Sequence, residues 1–178
     1  MPNVIGESRQ TAVLLIGYGN PGRQDDGLGP ALAAAVERLK LPGVTVDADY
    51  QLTVEDAAAA ARYDVAIFAD ADTAGPGPFY LRAVEPDATL SFSTHSVSPA
   101  AVMGLARDLF GARTRGFVLG IRGYVFNEFE ESLSEKALGN LAAAVRFIES
   151  ALRSGVFEET PGGTEKPSVT VAAPVSEE

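Results

Sequence analysis

Three places in the chain hold residue types that could act on a metal or a peptide bond. An acidic pair, Asp25-Asp26, follows Gly17-Tyr-Gly-Asn-Pro-Gly22 and runs straight into Gly27-Leu-Gly29. Asp70 closes an apolar run, Ile67-Phe-Ala-Asp-Ala71, with Asp72 two residues on. His95, the single histidine of the chain, stands in Ser93-Thr-His-Ser-Val-Ser-Pro99. If folding brought Asp26, Asp70 and His95 together, they would form an open O,O,N set. Such a set suits a borderline divalent metal such as nickel or zinc and leaves coordination positions for substrate or water. The chain has no cysteine. That excludes thiolate catalysis, disulfides and every metal site built on sulfur.

The surrounding pattern says what would have to position these residues. Residues 11–17 are a continuous apolar run ending in glycine, as a strand buried on both faces reads. Residues 44–48 and 64–70 read as further strands, 79–84 as an edge strand after the Pro76 to Pro78 break, and 116–121 as another strand. Helical spacing covers 30–39, 53–62, 98–110 and 132–152, with Pro99 at a first helical position and Asp56 three residues after Thr53. Strands alternating with helices predict an α/β fold: one three-layer domain with a doubly wound, mostly parallel, twisted sheet flanked by helices. In such sheets ligands bind at the carboxyl ends of the strands. Residues 11–157 are expected to form this domain, residues 1–10 a flexible N-terminus and residues 158–178 a disordered tail rich in Pro, Gly, Thr, Ser and Glu.

Each candidate has a plainer alternative. Gly17 to Gly22 is a literal dinucleotide fingerprint, but Pro21 removes a backbone donor and Asp25-Asp26 place two negative charges where a pyrophosphate would sit. Acids there suit a cation. Asp25 could simply cap the following helix while Asp26 faces the cleft. Asp70 is placed at the end of its strand, level with the loop after the first strand, yet it could cap a turn through Thr73, and Asp72 competes for any role. A lone loop histidine is more often a surface residue than a ligand.

Composition narrows the class. The 178 residues, 46% hydrophobic, suffice for one core. A net charge of -10 argues against a nucleic-acid partner. Residues 1–10 lack the pattern of a signal peptide, and no apolar run reaches the roughly 20 residues of a membrane helix, so a cytoplasmic protein without membrane insertion is expected.

These residues resemble one known family, the nickel-iron hydrogenase maturation endopeptidases. Its opening pattern, Gly-x-Gly-Asn, four variable residues, an acidic pair and Gly-x-Gly, is similar to Gly17-Tyr-Gly-Asn20 with Asp25-Asp26-Gly27-Leu28-Gly29. Its strand ending in Asp-Ala looks like Ile67 to Ala71, and its histidine before a helix looks like His95 ahead of Pro99. The resemblance runs from about Thr11 to Leu152. It implies a monomeric endopeptidase that removes a C-terminal extension from a hydrogenase large-subunit precursor after nickel insertion. It also implies that Asp26, Asp70 and His95 contact the nickel, which the substrate supplies; no organic cofactor is expected. Hydrolysis would then use a metal- or carboxylate-activated water, or two carboxylates sharing a proton in the aspartic-peptidase manner, with Asp26 and Asp70 in the catalytic roles. Specificity for one precursor is expected in residues 21–24 and 72–78. Residues 21–24 are more polar than the family pattern, and residues 123–131 also depart from it. Two rivals remain: a non-catalytic chaperone that checks the metal, and a peptidyl-tRNA hydrolase, which shares Gly19-Asn-Pro-Gly22 but needs a histidine soon after it and a basic face.

Overall fold

The structure, a computed structural model, describes residues 9–87 and 97–161. Five strands form one sheet: β1 (Val13–Tyr18), β2 (Val44–Asp49), β3 (Val65–Asp72), β4 (Phe79–Ala83) and β5 (Arg115–Arg122). Their order is β2-β1-β3-β5-β4, with every neighbouring pair parallel except β4 against β5. Four helices flank it: α1 (Leu28–Arg38), α2 (Glu55–Ala60), α3 (Pro99–Phe110) and α4 (Glu135–Ser154).

Period-two alternation along β1 and β3 sorts the core into two layers. Val13 and Leu15, with Val65, Ile67 and Ala69, meet Leu32 and Val36 of α1 and Ala144 and Ile148 of α4. Leu14 and Ile16, with Ala66 and Phe68, meet Ala57 and Ala60 of α2 and Val102, Met103 and Ala106 of α3 on the other face. This is the three-layer α/β fold expected from the sequence, with β4 at an edge as read.

Local chemistry explains the helix ends. Pro99 occupies the first turn of α3 behind Ser98, whose side chain accepts from Ala101 N at 3.1 Å, and Gly111 closes the helix with φ 62°. Ser134 caps α4 through Ala137 N at 3.3 Å. Before α2, Asp56 reaches back to Thr53 N at 2.7 Å, half of a capping box. Helix α1 starts at Leu28, two residues earlier than the apolar spacing suggested, because a 3-10 turn, Gln24–Gly27, feeds straight into it.

Both rims of the sheet are bonded by the chain itself. Beyond β4, Leu81 N donates to Thr160 Oγ1 (2.9 Å), Thr160 N to Leu81 O (3.0 Å) and Ala83 N to Glu159 Oε1 (2.8 Å). Glu159 and Thr160 fall within the segment expected as a tail; residues 162–178 lie outside the described residues. At β2, Val44 N goes to Leu41 O, Ala48 N to Asp47 Oδ1 and Tyr50 N to Asp49 Oδ1.

Helix α1 returns β1 to β2 on one face and α2 carries β2 to β3 across the other. The chain therefore diverges from between β1 and β3, and the crevice at their carboxyl ends is the place where such sheets bind ligands. No helix among the described residues is long and apolar enough to cross a membrane.

Candidate active site at the carboxyl ends of β1 and β3

The loop that leaves β1 is saturated with its own hydrogen bonds. Gly19 N donates to Asp49 O, Asn20 N to Asp26 Oδ2 (2.8 Å), Gly22 N to Asn20 Oδ1 (2.8 Å) and Arg23 N to Asn20 O. Gln24 N donates to Glu130 O, Asp25 N to Val125 O and Asp26 N to Arg23 O. Pro21 has no donor to give. Every amide from 19 to 26 that could cradle a pyrophosphate is thus committed to a protein oxygen, the physical opposite of a phosphate nest. Gly19, at φ 137°, sits where a side chain is strained, and a Cβ there would strike the carbonyl of Asp26.

The two acids of the pair do different work. Asp25 is fully buried. Its Oδ2 accepts from Tyr124 N, Val125 N and Ser134 Oγ at 2.8, 3.0 and 2.8 Å, and its Oδ1 from Ser134 N at 2.7 Å. Burial pushes its carboxyl up, but these hydrogen bonds outweigh burial and hold it below the usual carboxylate range. The helix-cap role expected for Asp25 is therefore corrected: Gly27 stands at the head of α1 with no side-chain cap, and Asp25 instead fastens the β5–α4 connection. Asp26 is half-buried and accepts from Asn20 N through Oδ2; among the described residues no donor reaches its Oδ1. The 3-10 turn that carries it packs against β3.

Strand β3 runs on to Asp72, so Asp70 lies two residues inside its end, paired with Gly120, and not at the end as read from the sequence. The reason is β5, which keeps β3 paired beyond Ala69, the last residue of β3 that β1 matches. Past that point Asp70 lines a cleft of about 380 Å³ together with Tyr18, Asp72, Tyr80, Arg82, Pro99 and Gly120, among others. Asp26 is not part of this wall and stands on the loop that continues from Tyr18.

Two tyrosines hold the acids of β3. The Tyr18 hydroxyl hydrogen-bonds Asp70, and burial first, then the charge of Asp70, pushes its pKa far above the usual tyrosine range. Tyr80 donates to Asp72 Oδ2 at 2.7 Å and is pushed up likewise, by burial and then by Asp72. Both stay protonated donors at any ordinary pH. Asp72 Oδ1 also accepts from Ala74 N and Gly75 N (2.9 and 2.8 Å). The turn-capping role considered for Asp70 thus belongs to Asp72. Gly120 makes room for Tyr80, whose ring occupies the space a Cβ would need.

His95 lies outside the described residues. Ser98, Pro99 and Ala100, which begin three residues after it, line the same cleft as Asp70. Among the described residues no group of three or more His, Asp or Glu side chains is arranged to hold a metal ion. The sequence reading missed Tyr18 and Tyr80; the signal available for Tyr18 was its position as the variable residue inside Gly-x-Gly, whereas Tyr80 lay in an expected edge strand with nothing local to mark it.

No protein-family model and no curated protein matches the chain. Solved structures do. The NiFe hydrogenase maturation protease HycI from Thermococcus kodakarensis KOD1 superposes with a TM-score of 0.63 over 82% of this chain and 95% of its own, at 22% identity. For the hydrogenase maturating endopeptidase HybD from E. coli the TM-score is 0.60, over 83% of this chain and 96% of its own, at 21% identity. A hydrogenase 2 maturation peptidase from a Thaumarchaeota archaeon gives 0.59, over 80% and 98%, at 23% identity. At these identities the likeness is one of fold, and it spans nearly the whole of each of those proteins. The chain has the α/β fold of the hydrogenase maturation proteases.

Proposed function

We propose that this protein is an endopeptidase that removes the C-terminal extension of a nickel-iron hydrogenase large-subunit precursor, reading the nickel already seated in that precursor. The observation that carries the proposal is the placement of Asp70: half-buried, held by Tyr18, and facing a cleft at the switch point of a maturation-protease fold. Asp26 stands on the neighbouring loop, and His95 precedes by three residues the Ser98 wall of the same cleft.

In this reading the metal arrives as part of the substrate. Asp26, Asp70 and His95 contact it and thereby fix the scissile peptide beside the cleft. A carboxylate oxygen or the substrate's metal activates a water, which attacks the scissile carbonyl; the proton taken from water passes to the leaving amine. Tyr18 keeps one oxygen of Asp70 engaged and so fixes the direction of the other. The cleft has the polar and aromatic walls, including Arg82 and Tyr80, to receive an extended peptide.

The test is to incubate the purified protein with its host's large-subunit precursor, with and without nickel, and weigh the products by mass spectrometry. Loss of a C-terminal peptide from the nickel-loaded form alone is expected. A precursor that binds but keeps its length would identify a metal-checking chaperone, and one that does not bind at all would sink the reading.

A further inference from the structure

The two segments that depart from the family pattern, residues 21–24 and 123–131, are one structural unit. Gln24, with φ 50° in the left-handed region, is held by its N donating to Glu130 O (2.9 Å) and its Oε1 accepting from Glu128 N (3.3 Å). Asp25 secures the same connection through Tyr124, Val125 and Ser134. The loop is thus pinned along its length to the residues immediately before Asp26.

This fixed loop aims an aromatic ring at water. Phe129 is 90% exposed, more than any other large apolar side chain among the described residues. Phe126, three residues earlier, is instead tucked over Gly123, where a Cβ would meet its ring at 2.6 Å. The loop can therefore shield a phenylalanine in part and does so once. Arg23 stands 5.9 Å from the Phe129 ring centroid and steadies one face of it. Exposed Glu128, Glu130 and Glu131 surround it in sequence.

We infer that Phe129, flanked in sequence by these exposed glutamates, is the knob on which the protein seats its macromolecular substrate, entering an apolar pocket with a lysine- or arginine-rich rim on the precursor polypeptide. An aromatic anchor with a charged surround is the make-up of an interface hot spot and its rim. The acids supply complementarity to a basic rim and steer the encounter. Because the loop is bonded through Gln24 and Asp25 to the segment carrying Asp26, docking at Phe129 sets the register of the substrate against the candidate site. This inference rests on the processing function proposed above.

The experiment measures binding of the nickel-loaded precursor to the full chain by biolayer interferometry, alongside processing kinetics. Phe129→Ala is expected to raise Kd and KM about tenfold or more with kcat unchanged. Phe129→Leu should recover most of the loss. Glu128→Lys with Glu130→Lys should slow association at low salt, with the difference fading as salt rises. Binding by Phe129→Ala within about twofold of the unaltered protein, while Asp26→Asn has lost processing, would overturn the docking role alone. If Asp26→Asn and Asp70→Asn still process while Phe129→Ala has lost binding, docking stands and the site assignment falls. An unaltered protein that does not bind the precursor overturns both.

Discussion

Ser134 gives Asp25 both its amide and its hydroxyl, at 2.7 and 2.8 Å, across 109 residues of sequence. The same hydroxyl accepts from Ala137 N, so one side chain caps α4 and anchors the loop that carries the acidic pair. A carboxylate next door to a candidate ligand is thereby a structural part.

Asp25→Asn should therefore be far costlier than loss of a surface cap. An amide in that pocket turns its NH2 toward protein donors, leaving buried groups unpaired, at about 3 kcal/mol. The folded pKa lies below that of an unfolded aspartate, about 3.9, so the stabilisation is present above that pH and lost as pH falls through the lowered value. Thermal unfolding at pH 7 should show a wide gap between the two proteins, narrowing below about pH 4. A gap that stays constant with pH would contradict the assignment.

Asp26→Asn, Asp70→Asn and His95→Ala should each lower precursor processing by about a hundredfold or more, as loss of a metal contact does. Asp26 and Asp70 are half-buried and belong to no core cluster, so the melting temperatures of their variants should move by only a few degrees. Normal processing by any one variant would remove that residue from the site.

Tyr18→Phe deletes the donor that holds Asp70 and leaves the ring in place. Processing should fall about tenfold, with stability down by about 1 kcal/mol, the net worth of one hydrogen bond. A Tyr18→Phe variant that processes the precursor at the unaltered rate would mean that the hydroxyl does not position Asp70.

Gly29→Ala tests the close approach of α1 to the sheet. A Cβ at Gly29 would collide with the carbonyl oxygens of Tyr18 and Ala69, both backbone atoms that cannot move alone. A loss of about 3 kcal/mol is expected from such overpacking, read as a lower denaturation midpoint with an unchanged slope.

Much of this is legible in the sequence alone. Leu14 and Ile16 against Val13 and Leu15, and Gly17 that ends the run, announce a strand buried on both faces, and the order of elements then leaves a doubly wound sheet. Ser98-Pro99 and Gly111 mark both ends of α3 in plain capping chemistry. The division of labour between adjacent acids was not legible: nothing local to Asp25 says that Tyr124, Val125 and Ser134 will converge on it, because those contacts span about a hundred residues. Asp70 and Asp72 were inseparable because the pairing of β3 with β5, which no local pattern shows, is what carries the strand past Asp70 and leaves Asp72 to accept from Ala74 N and Gly75 N in the turn. Tyr80, from a strand on the far side of β5, then takes the other oxygen of Asp72.

The bonded rims of the sheet bear on how a foreign polypeptide can be handled. A strand with idle amides invites any extended chain to join it, indifferent to sequence, and is where fibres begin to grow. Here amides at both rims are already occupied by Thr160, Glu159, Leu41, Asp47 and Asp49. An extended chain finds few free amides to join at either edge, and discrimination by residue type is what such a surface rewards.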